Sequence, residues 1–600
     1  MSNTTKEPFS LGYKKLGLPK QELLEKLVKS ETTDNSIEYS PFHIHQLQHY
    51  NPIYKEIFEL SPTNYNSIGL NHPNQHVFNL ERNSDSEVTI DNCFIKYSPL
   101  LDPFRYLTGK YKSDDSLKTL PKIDSPHSKL ADPNNASYID NFFCYLSSQL
   151  KNHHSFINAI DYYGSYIGIQ EKFKINISDD MDYLRNSEIF IQNRNILYEI
   201  EEDFEDPLAN FGSRKNKDKL VFHNESAVSH LSFDNIDVED TNKNIIDNTK
   251  EDIEQIYEHS DSDDESSNNS QLSYTSSDDS DEESGDEDTE SDDDEDNEES
   301  DDDDESDDDE DEDTNESDDE ESDTNESDSE DSDAEDSDSQ DTPIYAYIKE
   351  FPVQLICLEP CKNTMDSLFE KGELDEKTAA AALMQVIMSL LAFQKSFHFT
   401  HNDLHTNNIM YIDTTEEFLY YRFNKIVYKV PTYGRLYKII DFGRAIYKFQ
   451  GRTYCSDSFS PDGDANSQYN FEPYFNDKKP RLEPNYSFDL CRLGCSIFDF
   501  ILDEDYLQQE ELEFDELQRT VIRWCSDDNG KNVLYKKSGE ERYPNFKLYK
   551  MIARTVHKHT PELQLTDPYF SKYALDKKQV KNIQNNKIID IDILPCYVSK

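Results

Sequence analysis

Apolar and polar residues follow two different periods along this chain, and each period predicts a different kind of element. Val88–Tyr97 alternates residue by residue, which is typical of a strand, and Ile157–Ile169 is also strand-like. The apolar run Val353–Leu358 is typical of a buried strand. Between Ser137 and Leu150 the apolar residues lie three and four positions apart, so they share one face of a helix. These patterns predict a mixed region of strands and helix before about residue 200, which resumes at residue 344.

After residue 360 the pattern changes, and long apolar segments predict helices. Glu373–Phe393 is rich in Ala, Leu and Met, and Ser487–Leu502 is a second apolar segment, while Tyr437–Ile440 is a short apolar strand. We therefore expect a mostly helical region as far as about residue 575. The uncharged stretch Thr378–Gln394 is too short and too rich in Ala and Gln for a membrane span, so we expect a buried core helix and no membrane contact.

Charge separates one segment from the rest of the chain. Residues 261–341 contain 47 Asp and Glu and no Lys or Arg, which leaves 19 of the 66 excess negative charges for the other residues. Such a segment cannot bury enough apolar surface to offset its chain entropy, so we expect it to be disordered. Its role stays open between a solvated spacer and a docking arm for basic proteins. Because phosphate backbones would be repelled, we expect no direct nucleic-acid binding.

The cysteines and the first residues bear on the compartment. The chain has nine Cys, and their spacing contains no CxxC pair and no Cys/His zinc pattern. We interpret them as reduced, mostly buried thiols of an intracellular protein. The N-terminal residues contain no apolar signal core, so we do not expect secretion.

Two short segments in the last third of the chain carry the candidate chemistry. The first reads His-Asn-Asp-Leu-His-Thr-Asn-Asn over His401–Asn408, after a predicted helix. The second reads Ile-Ile-Asp-Phe-Gly over Ile439–Gly443, at the end of a predicted strand. Loops next to rigid elements are common places for functional residues. A loop that is rich in Asn and Asp by chance is the alternative, and the presence of both segments in this order argues against it.

The spacing within these segments suits phosphoryl transfer from ATP. Asp403 lies five residues before Asn408, so its carboxylate can reach an acceptor hydroxyl while the amide turns back to a metal ion. Asp441 can supply the second metal contact, and Gly443 is expected to give the following turn its conformational freedom. The cofactors that this arrangement predicts are ATP and Mg²⁺.

These motifs resemble those of the eukaryotic protein-kinase superfamily. His401-Asn402-Asp403 is similar to its His-Arg-Asp, and Asp441-Phe442-Gly443 is similar to its metal-binding triplet. Asp489, followed by Leu-Gly-Cys four residues later, resembles the acid that anchors the catalytic-loop backbone in that family. The resemblance implies an α+β, bilobal protein-kinase-like fold, with a small β-rich N-lobe, a mostly helical C-lobe and a long disordered acidic insertion. It assigns the catalytic set to His401, Asp403 and Asn408, the metal contacts to Asn408 and Asp441, and structural roles to Gly443 and Asp489.

The resemblance extends to earlier residues that would hold the nucleotide. Leu358 stands at the gatekeeper position, and Glu359 would offer its backbone carbonyl to adenine. Cys93–Lys96 resembles the Val-Ala-Ile-Lys strand, which makes Lys96 the candidate for the α and β phosphates, with a solvated strand lysine as the alternative. No Glu occupies the family's ion-pair position, and Asp140, one methylene shorter, is the nearest carboxylate.

The resemblance also predicts how the chain is divided. The expected order is an N-terminal extension, the first part of the N-lobe, the acidic insertion, the last N-lobe strand with the hinge, the C-lobe and a C-terminal tail. The boundaries are 1–64, 65–200, 201–343 (core 261–341), 344–360, 361–575 and 576–600.

Several departures from the family pattern leave three functions open. No G-x-G-x-x-G precedes Lys96, Asn402 replaces the family's Arg, His405 replaces its Lys, and no Ala-Pro-Glu precedes Asp489. The form His-x-Asp-Leu-His-x-x-Asn also resembles haspin-like kinases and small-molecule kinases. The leading hypothesis is a serine/threonine-protein kinase with Asp403 as base and a protein substrate, with basic proteins as the candidate class. The alternatives are a small-molecule phosphotransferase and a pseudokinase scaffold that recruits basic partners through the acidic tract.

The overall composition adds one further resemblance. Asn, Ile, Tyr and Lys are abundant, whereas the chain has only 16 Gly and 1 Trp. This composition, with the motif form above, is similar to that of the serine/threonine kinases of giant DNA viruses of the mimivirus type. It implies a location in the host cytoplasm or the virion.

Overall fold

The computed structural model of this chain describes residues 9, 11, 13–15, 39–70, 93–111, 115–125, 129–178, 180–184, 187–200, 344–502, 506, 514–544 and 546–599. They belong to one of the two units into which the chain divides, Met1–Ser262 together with Asp341–Lys600. The other unit, Asp263–Gln340, and the whole predicted acidic insertion (201–343) lie outside the described residues.

The described residues form a mixed α+β structure. In chain order the strands are β1 (Tyr13–Lys15), β2 (Ile44–Gln48), β3 (Ile68–Leu70), β4 (Phe94–Pro99), β5 (Tyr162–Asn176), β6 (Tyr198–Ile200), β7 (Tyr345–Leu358), β8 (Asn363–Thr364), β9 (Ile409–Asp413), β10 (Phe418–Phe423), β11 (Ile426–Pro431), β12 (Arg435–Ile439), β13 (Ile446–Phe449), β14 (Arg452–Cys455) and β15 (Ile588–Asp590). The α-helices are α1 (Pro103–Leu107), α2 (Ala136–His154), α3 (Met181–Leu184), α4 (Glu188–Asn193), α5 (Met365–Glu370), α6 (Glu376–Phe397), α7 (Phe488–Ile501), α8 (Glu516–Trp524), α9 (Lys547–Thr555), α10 (Pro561–Gln564), α11 (Pro568–Ser571) and α12 (Lys577–Val580).

An antiparallel sheet dominates the first part of the structure. Its strands lie in the order β2–β5–β7–β4, and β6 also pairs with β7. β5 and β7 pair from Tyr162 opposite Leu358 to Asn176 opposite Tyr345, so the apolar strand β7 lies inside the sheet. β4 covers the other edge of β7 and places Lys96 opposite Ile356. The strand predicted at Val88–Tyr97 is therefore present from Phe94 onward, and residues 88–92 lie outside the described residues.

Helix α2 lies between this sheet and the helical part of the structure. It begins at Asn135, whose side chain accepts from the Ser137 N–H, and it ends at Ser155 in the left-handed region (φ 61°). Nearly all of its residues are buried, because the sheet contacts one side and the ring of Phe143 contacts Phe399 and Phe442 on the other. The predicted helical segment Ser137–Leu150 is contained in it.

Helix α6 is the central helix of the helical part. Asp375 and Thr378 form a capping box at its start, and His398 ends it with a left-handed φ of 49°. Among the described residues it is the one helix long and apolar enough, by length and composition, to cross a membrane, and 94% of that apolar window is buried inside the protein. α6 is thus the core helix that the sequence predicts.

The region predicted to be mostly helical also contains antiparallel strands, of which the sequence predicted only β12, at Tyr437–Ile440. β10 and β11 pair through a two-residue turn in which Asn424 and Lys425 both have positive φ, 48° and 66°. This turn geometry usually carries an Asn-Gly or Asp-Gly signature, and Asn-Lys lacks it. The predicted tail contributes β15, which pairs in parallel with β10.

Candidate functional site

The loop His401–Asn408 is fastened to helix α7 by a buried carboxylate. Asp489, in the first turn of α7, accepts from the backbone N–H of His401 through Oδ2 and from that of Asn402 through Oδ1, both at 2.9 Å. Burial raises the pKa of the Asp489 carboxyl, while these two backbone donors favour its anion. Asp489 therefore holds the loop where its backbone turns.

Asn402 takes the place where the resembled family has Arg, and it acts as a neutral cross-link. Its backbone adopts a left-handed φ of 63°, and its side chain is fully buried. The amide donates to the carbonyl oxygens of Thr400 (3.3 Å) and Arg444 (3.0 Å), and its oxygen accepts from the Tyr469 hydroxyl at 2.9 Å. These bonds join the loop to the segment after Asp441 without a charge.

Asp403 is a buried carboxylate that stays ionised. Its Oδ1 accepts from the Tyr549 hydroxyl at 2.7 Å. Burial alone would raise the pKa of this carboxyl, but the charge of Arg444, with His405, Arg492 and the Tyr549 hydroxyl, outweighs burial and lowers the pKa to about 2. An ionised carboxylate at neutral pH is able to accept a proton.

The two histidines of the loop are uncharged hydrogen-bonding groups with fixed orientations. The Asp403 N–H donates to Nδ1 of His401 (3.3 Å), so its Nε2 carries the ring hydrogen and donates to the Ile440 carbonyl at 2.9 Å. Burial lowers the pKa of His405 to about 4, so at neutral pH its Nε2 accepts from the Asn408 amide at 3.1 Å. The same amide donates to the backbone oxygen of Asp403 at 2.9 Å. Because both N–H groups of the Asn408 amide are hydrogen-bonded, its amide oxygen is the atom available to bind a metal ion or another donor.

Lys96, Asp140 and Asp441 meet although they come from three separate elements. Nζ of Lys96 lies 2.8 Å from Oδ2 of Asp140 and 2.9 Å from Oδ1 of Asp441. The other oxygen of Asp140 accepts from the Phe442 N–H at 2.9 Å. Burial would lower the pKa of Lys96, but the two carboxylates outweigh it and raise the pKa above its usual value. Lys96 is therefore a paired cation whose side chain is only 12% exposed, and this does not fit the alternative of a solvated strand lysine.

The backbone strain of the Asp-Phe-Gly triplet lies at Asp441, which corrects the expectation for Gly443. Asp441 has a φ of +61°, whereas Gly443 is outside the left-handed region. A Cβ added to Gly443 would contact Oδ1 of Asp441 at an ordinary 3.5 Å. The expected conformational freedom is thus needed at an Asp, a residue type that tolerates this region better than most.

Leu358 is the last residue of β7 and Glu359 follows it, and the Glu359 side chain bonds to groups inside the protein. The Glu359 N–H donates to the Asp161 carbonyl at 3.0 Å, and its Oε1 accepts from the Asp161 N–H at 2.7 Å. Oε1 also lies 2.6 Å from Nζ of Lys438, a fully buried lysine on β12 that donates to the Ile157 and Ala159 carbonyls. This cluster connects the end of β7 to the strand that leads to Asp441.

Several residues around the site were missed in the sequence analysis. Tyr549 and Lys438 lie outside every motif, and a Lys in a strand is ordinarily solvated. Arg492 did carry a weak signal, since it is a charged residue inside the apolar segment of α7, three positions after Asp489. Arg444 directly follows the Asp-Phe-Gly triplet and pairs with Asp464.

Comparison with known proteins gives a limited match. No protein-family model matches the chain. Over 133 residues, 21% of this chain, it is 31% identical to the serine/threonine-protein kinase haspin of Mus musculus. The match spans 16% of the length of that protein. This similarity connects the chain with the protein-kinase superfamily and does not bear on the predicted viral type.

Proposed function

We propose that this chain is an ATP- and Mg²⁺-dependent serine/threonine-protein kinase in which Asp403 is the catalytic base. The observation that carries the proposal is the meeting of Lys96, Asp140 and Asp441 beside the loop that contains Asp403 and Asn408. Partial similarity to a protein kinase supports it. In this proposal the fold is bilobal, with the sheet and α2 as the N-lobe and residues 361–575 as the C-lobe.

The donor set fits a nucleotide with a shared magnesium ion. Mg²⁺ prefers oxygen ligands and commonly binds one or two protein groups together with nucleotide phosphates. The Asp441 carboxylate and the free amide oxygen of Asn408 are such ligands, and Lys96 is a fixed cation for the phosphates. In the described part of the chain no cluster of three or more His, Cys, Asp or Glu could hold a metal ion alone, which is compatible with a shared site. Bound ATP would supply the phosphoryl group, and the Mg²⁺ bound with it would offset the negative charge of the phosphates.

The protein residues then have separate tasks. Asp403 orients the acceptor hydroxyl and takes its proton as the new oxygen–phosphorus bond forms and the bond between the γ-phosphorus and the β–γ bridging oxygen of ATP breaks, with ADP as the leaving group. Asp489 and Asn402 keep the loop in place, and Asp140 keeps Lys96 beside Asp441. Glu359 would present its backbone carbonyl to adenine while its side chain stays bound to Lys438.

The test is transfer of the γ-phosphate from ATP to a mixture of basic proteins. We expect transfer by the wild type and a loss of at least about 100-fold in Asp403→Asn and in Asp441→Ala. Asp413→Asn is the matched control, because this carboxylate is 61% exposed and lies at the end of β9, the strand that follows the loop His401–Asn408. Transfer to amino sugars or choline-like alcohols instead of proteins would identify a small-molecule phosphotransferase. Failure to bind ATP would leave the pseudokinase scaffold.

The acidic tract bears on the proposed substrate class. Its 47 carboxylates would raise the local concentration of basic proteins if it acts as a docking arm. Deletion of residues 261–341 should then reduce transfer to basic proteins, most strongly at low salt, and leave transfer to short peptides unchanged. If the deletion variant transferred phosphate to basic proteins and to short peptides as well as the wild type does, the tract would be a spacer.

A further inference from the structure

The Asp403 carboxylate accepts a hydrogen bond from a tyrosine on helix α9. Tyr549 lies on α9, 146 residues away in sequence, and its hydroxyl is 2.7 Å from Oδ1 of Asp403. The Tyr549 side chain is fully buried, and its ring stacks on Phe546 at 5.1 Å and contacts Phe488 at 6.0 Å. Because these rings hold Tyr549 in place, its hydroxyl has a defined position beside the carboxylate.

Arg492 sets the direction of this hydrogen bond. Its Nε donates to the Tyr549 hydroxyl oxygen at 2.9 Å, and its guanidinium carbon lies 5.2 Å from the centre of the Tyr549 ring. A guanidinium has no acceptor, so the Tyr549 oxygen must accept from it. The hydroxyl proton is therefore directed to Asp403, and the chain of donors runs from Arg492 through Tyr549 to Oδ1.

We propose that Tyr549 is a positioning residue for phosphoryl transfer, which fixes the Asp403 carboxylate so that Oδ2 faces the acceptor hydroxyl. The proposal rests on the proposed function, in which Asp403 takes the acceptor proton. The Tyr549 hydroxyl is not itself the phosphoryl acceptor, since it is fully buried among aromatic side chains. Its contribution is to the orientation of Asp403, and so it belongs to the transfer step and not to nucleotide binding.

The direct test is Tyr549→Phe, which removes one oxygen and keeps the ring. We expect kcat to fall roughly 10- to 100-fold, the range for loss of one hydrogen bond to a charged group, with KM for ATP within about twofold of the wild type. Tyr569→Phe is the matched control, because the hydroxyl of this buried tyrosine donates to the Glu376 carbonyl at 2.7 Å on a different pair of helices. We expect the control to keep both kcat and KM.

Other outcomes overturn the proposal. An unchanged kcat in Tyr549→Phe would show that the hydroxyl does not position the base, and an increased kcat would show that it competes with the acceptor. Equal losses in the Tyr549→Phe and Tyr569→Phe variants would show a general structural effect.

A double-mutant cycle tests the role of Arg492. Arg492 acts on the orientation of Asp403 through the Tyr549 hydroxyl, and its charge also acts on the Asp403 carboxylate directly. The effects of Arg492→Met and Tyr549→Phe on kcat should therefore be less than additive. Fully additive effects would contradict the chain of donors. If Arg492→Met does not fold, the Tyr549→Phe comparison still decides the proposal.

Two measurements together separate this proposal from the proposed function: phosphate transfer by the wild type, and the orientation of the Asp403 carboxylate in crystal structures. If the wild type transfers no phosphate to any acceptor, the proposed function fails and the catalytic role of Tyr549 fails with it. If the wild type is active, crystal structures of the wild type and Tyr549→Phe decide the orientation. A rotated Asp403 carboxylate in the variant supports the proposal, and an unchanged carboxylate overturns it.

Discussion

Asp403 keeps its negative charge in a buried position because positive groups surround it. Arg444 and Arg492 are permanently charged, and His405, with a pKa of about 4, becomes charged only in the acid range in which Asp403 itself titrates. At neutral pH the two guanidinium groups and the Tyr549 hydroxyl therefore keep the carboxylate ionised. The identity of Asp403 could be predicted from its motif, but its surroundings could not, because they come from α7, α9 and the segment after Gly443.

His405 should make the stability of the protein dependent on pH. Burial lowers its pKa from 6.5 to about 4 in the folded chain, so between these values only the unfolded chain binds the proton. The stabilising effect of the neutral imidazole is complete above pH 6.5 and is lost as the pH falls to 4, by roughly 3 kcal/mol. We expect His405→Asn to have a flatter profile of unfolding free energy over this range, measured by urea denaturation. Parallel profiles for the wild type and the variant would contradict the burial argument.

Under the proposed function, Asp140 should determine how tightly ATP is bound. Asp140→Asn removes one of the two carboxylates beside Lys96 and keeps an oxygen that can accept from the Phe442 N–H. Because Lys96 keeps Asp441 as a partner, we expect a moderate loss of stability, about 1–3 kcal/mol, together with roughly 10-fold weaker ATP binding by calorimetry. The exposed pair of Lys362 with Asp413 gives the control variant Asp413→Asn. Equal ATP affinity in Asp140→Asn and the control would show that Asp140 does not orient Lys96.

At the scale of elements, an aspartate lies at the start of both α6 and α7, and the two side chains have different tasks. Asp375 caps α6 at an exposed position, where one of its oxygens accepts from the Lys377 and Thr378 N–H groups. Asp489 lies in the first turn of α7 and uses both oxygens for the backbone of a different segment. The same residue type thus stabilises a helix in one place and a functional loop in the other.

Asp489→Asn should therefore be far more harmful than Asp375→Asn. An amide has one acceptor oxygen, so at position 489 either the His401 or the Asn402 N–H loses its partner in a buried place, which costs about 1–3 kcal/mol. At position 375 a single oxygen serves both donors, and Asn caps helices as well as Asp. The measurement is the unfolding free energy of both variants. A loss at 375 as large as that at 489 would contradict this account.

Periodicity predicted the long elements and missed the short ones. α2, α6 and α7 lie within a few residues of the predicted segments, because their apolar residues continue over several turns into one core. The hairpin of β10 and β11 was missed because Asn424 and Lys425 lack a glycine signature. The contacts of Tyr549 and Lys438 were missed for a different reason: they join distant segments, and a single sequence contains no local signal for them.

At the scale of the whole molecule, residues near both ends of the chain pack on the helix that carries Asp140. The Tyr597 hydroxyl accepts from the Phe9 N–H at 3.2 Å and lies 2.7 Å from Nε2 of His154, in the last turn of α2. The Tyr597 N–H donates to the Ser396 carbonyl at 2.8 Å, and its ring stacks on Phe397 at 5.4 Å. Tyr597 therefore connects the C-terminal ends of α2 and α6.

Tyr597→Ala should loosen α2 and weaken the candidate site from a distance. The side chain is 5% exposed, and replacing a buried aromatic residue by Ala typically costs 3–5 kcal/mol, so we expect a loss near the lower end because the residue lies at the edge of the core. Hydrogen exchange should increase first in the last two turns of α2 and just after β13, where the Gln450 N–H donates to the Tyr597 carbonyl at 2.7 Å. Tyr597→Phe, which keeps the ring packing and loses the two contacts of the hydroxyl, should show a smaller loss of about 1 kcal/mol. If exchange in α2 stayed at the wild-type rate in Tyr597→Ala, the C-terminal residues would have no part in holding Asp140 against Lys96.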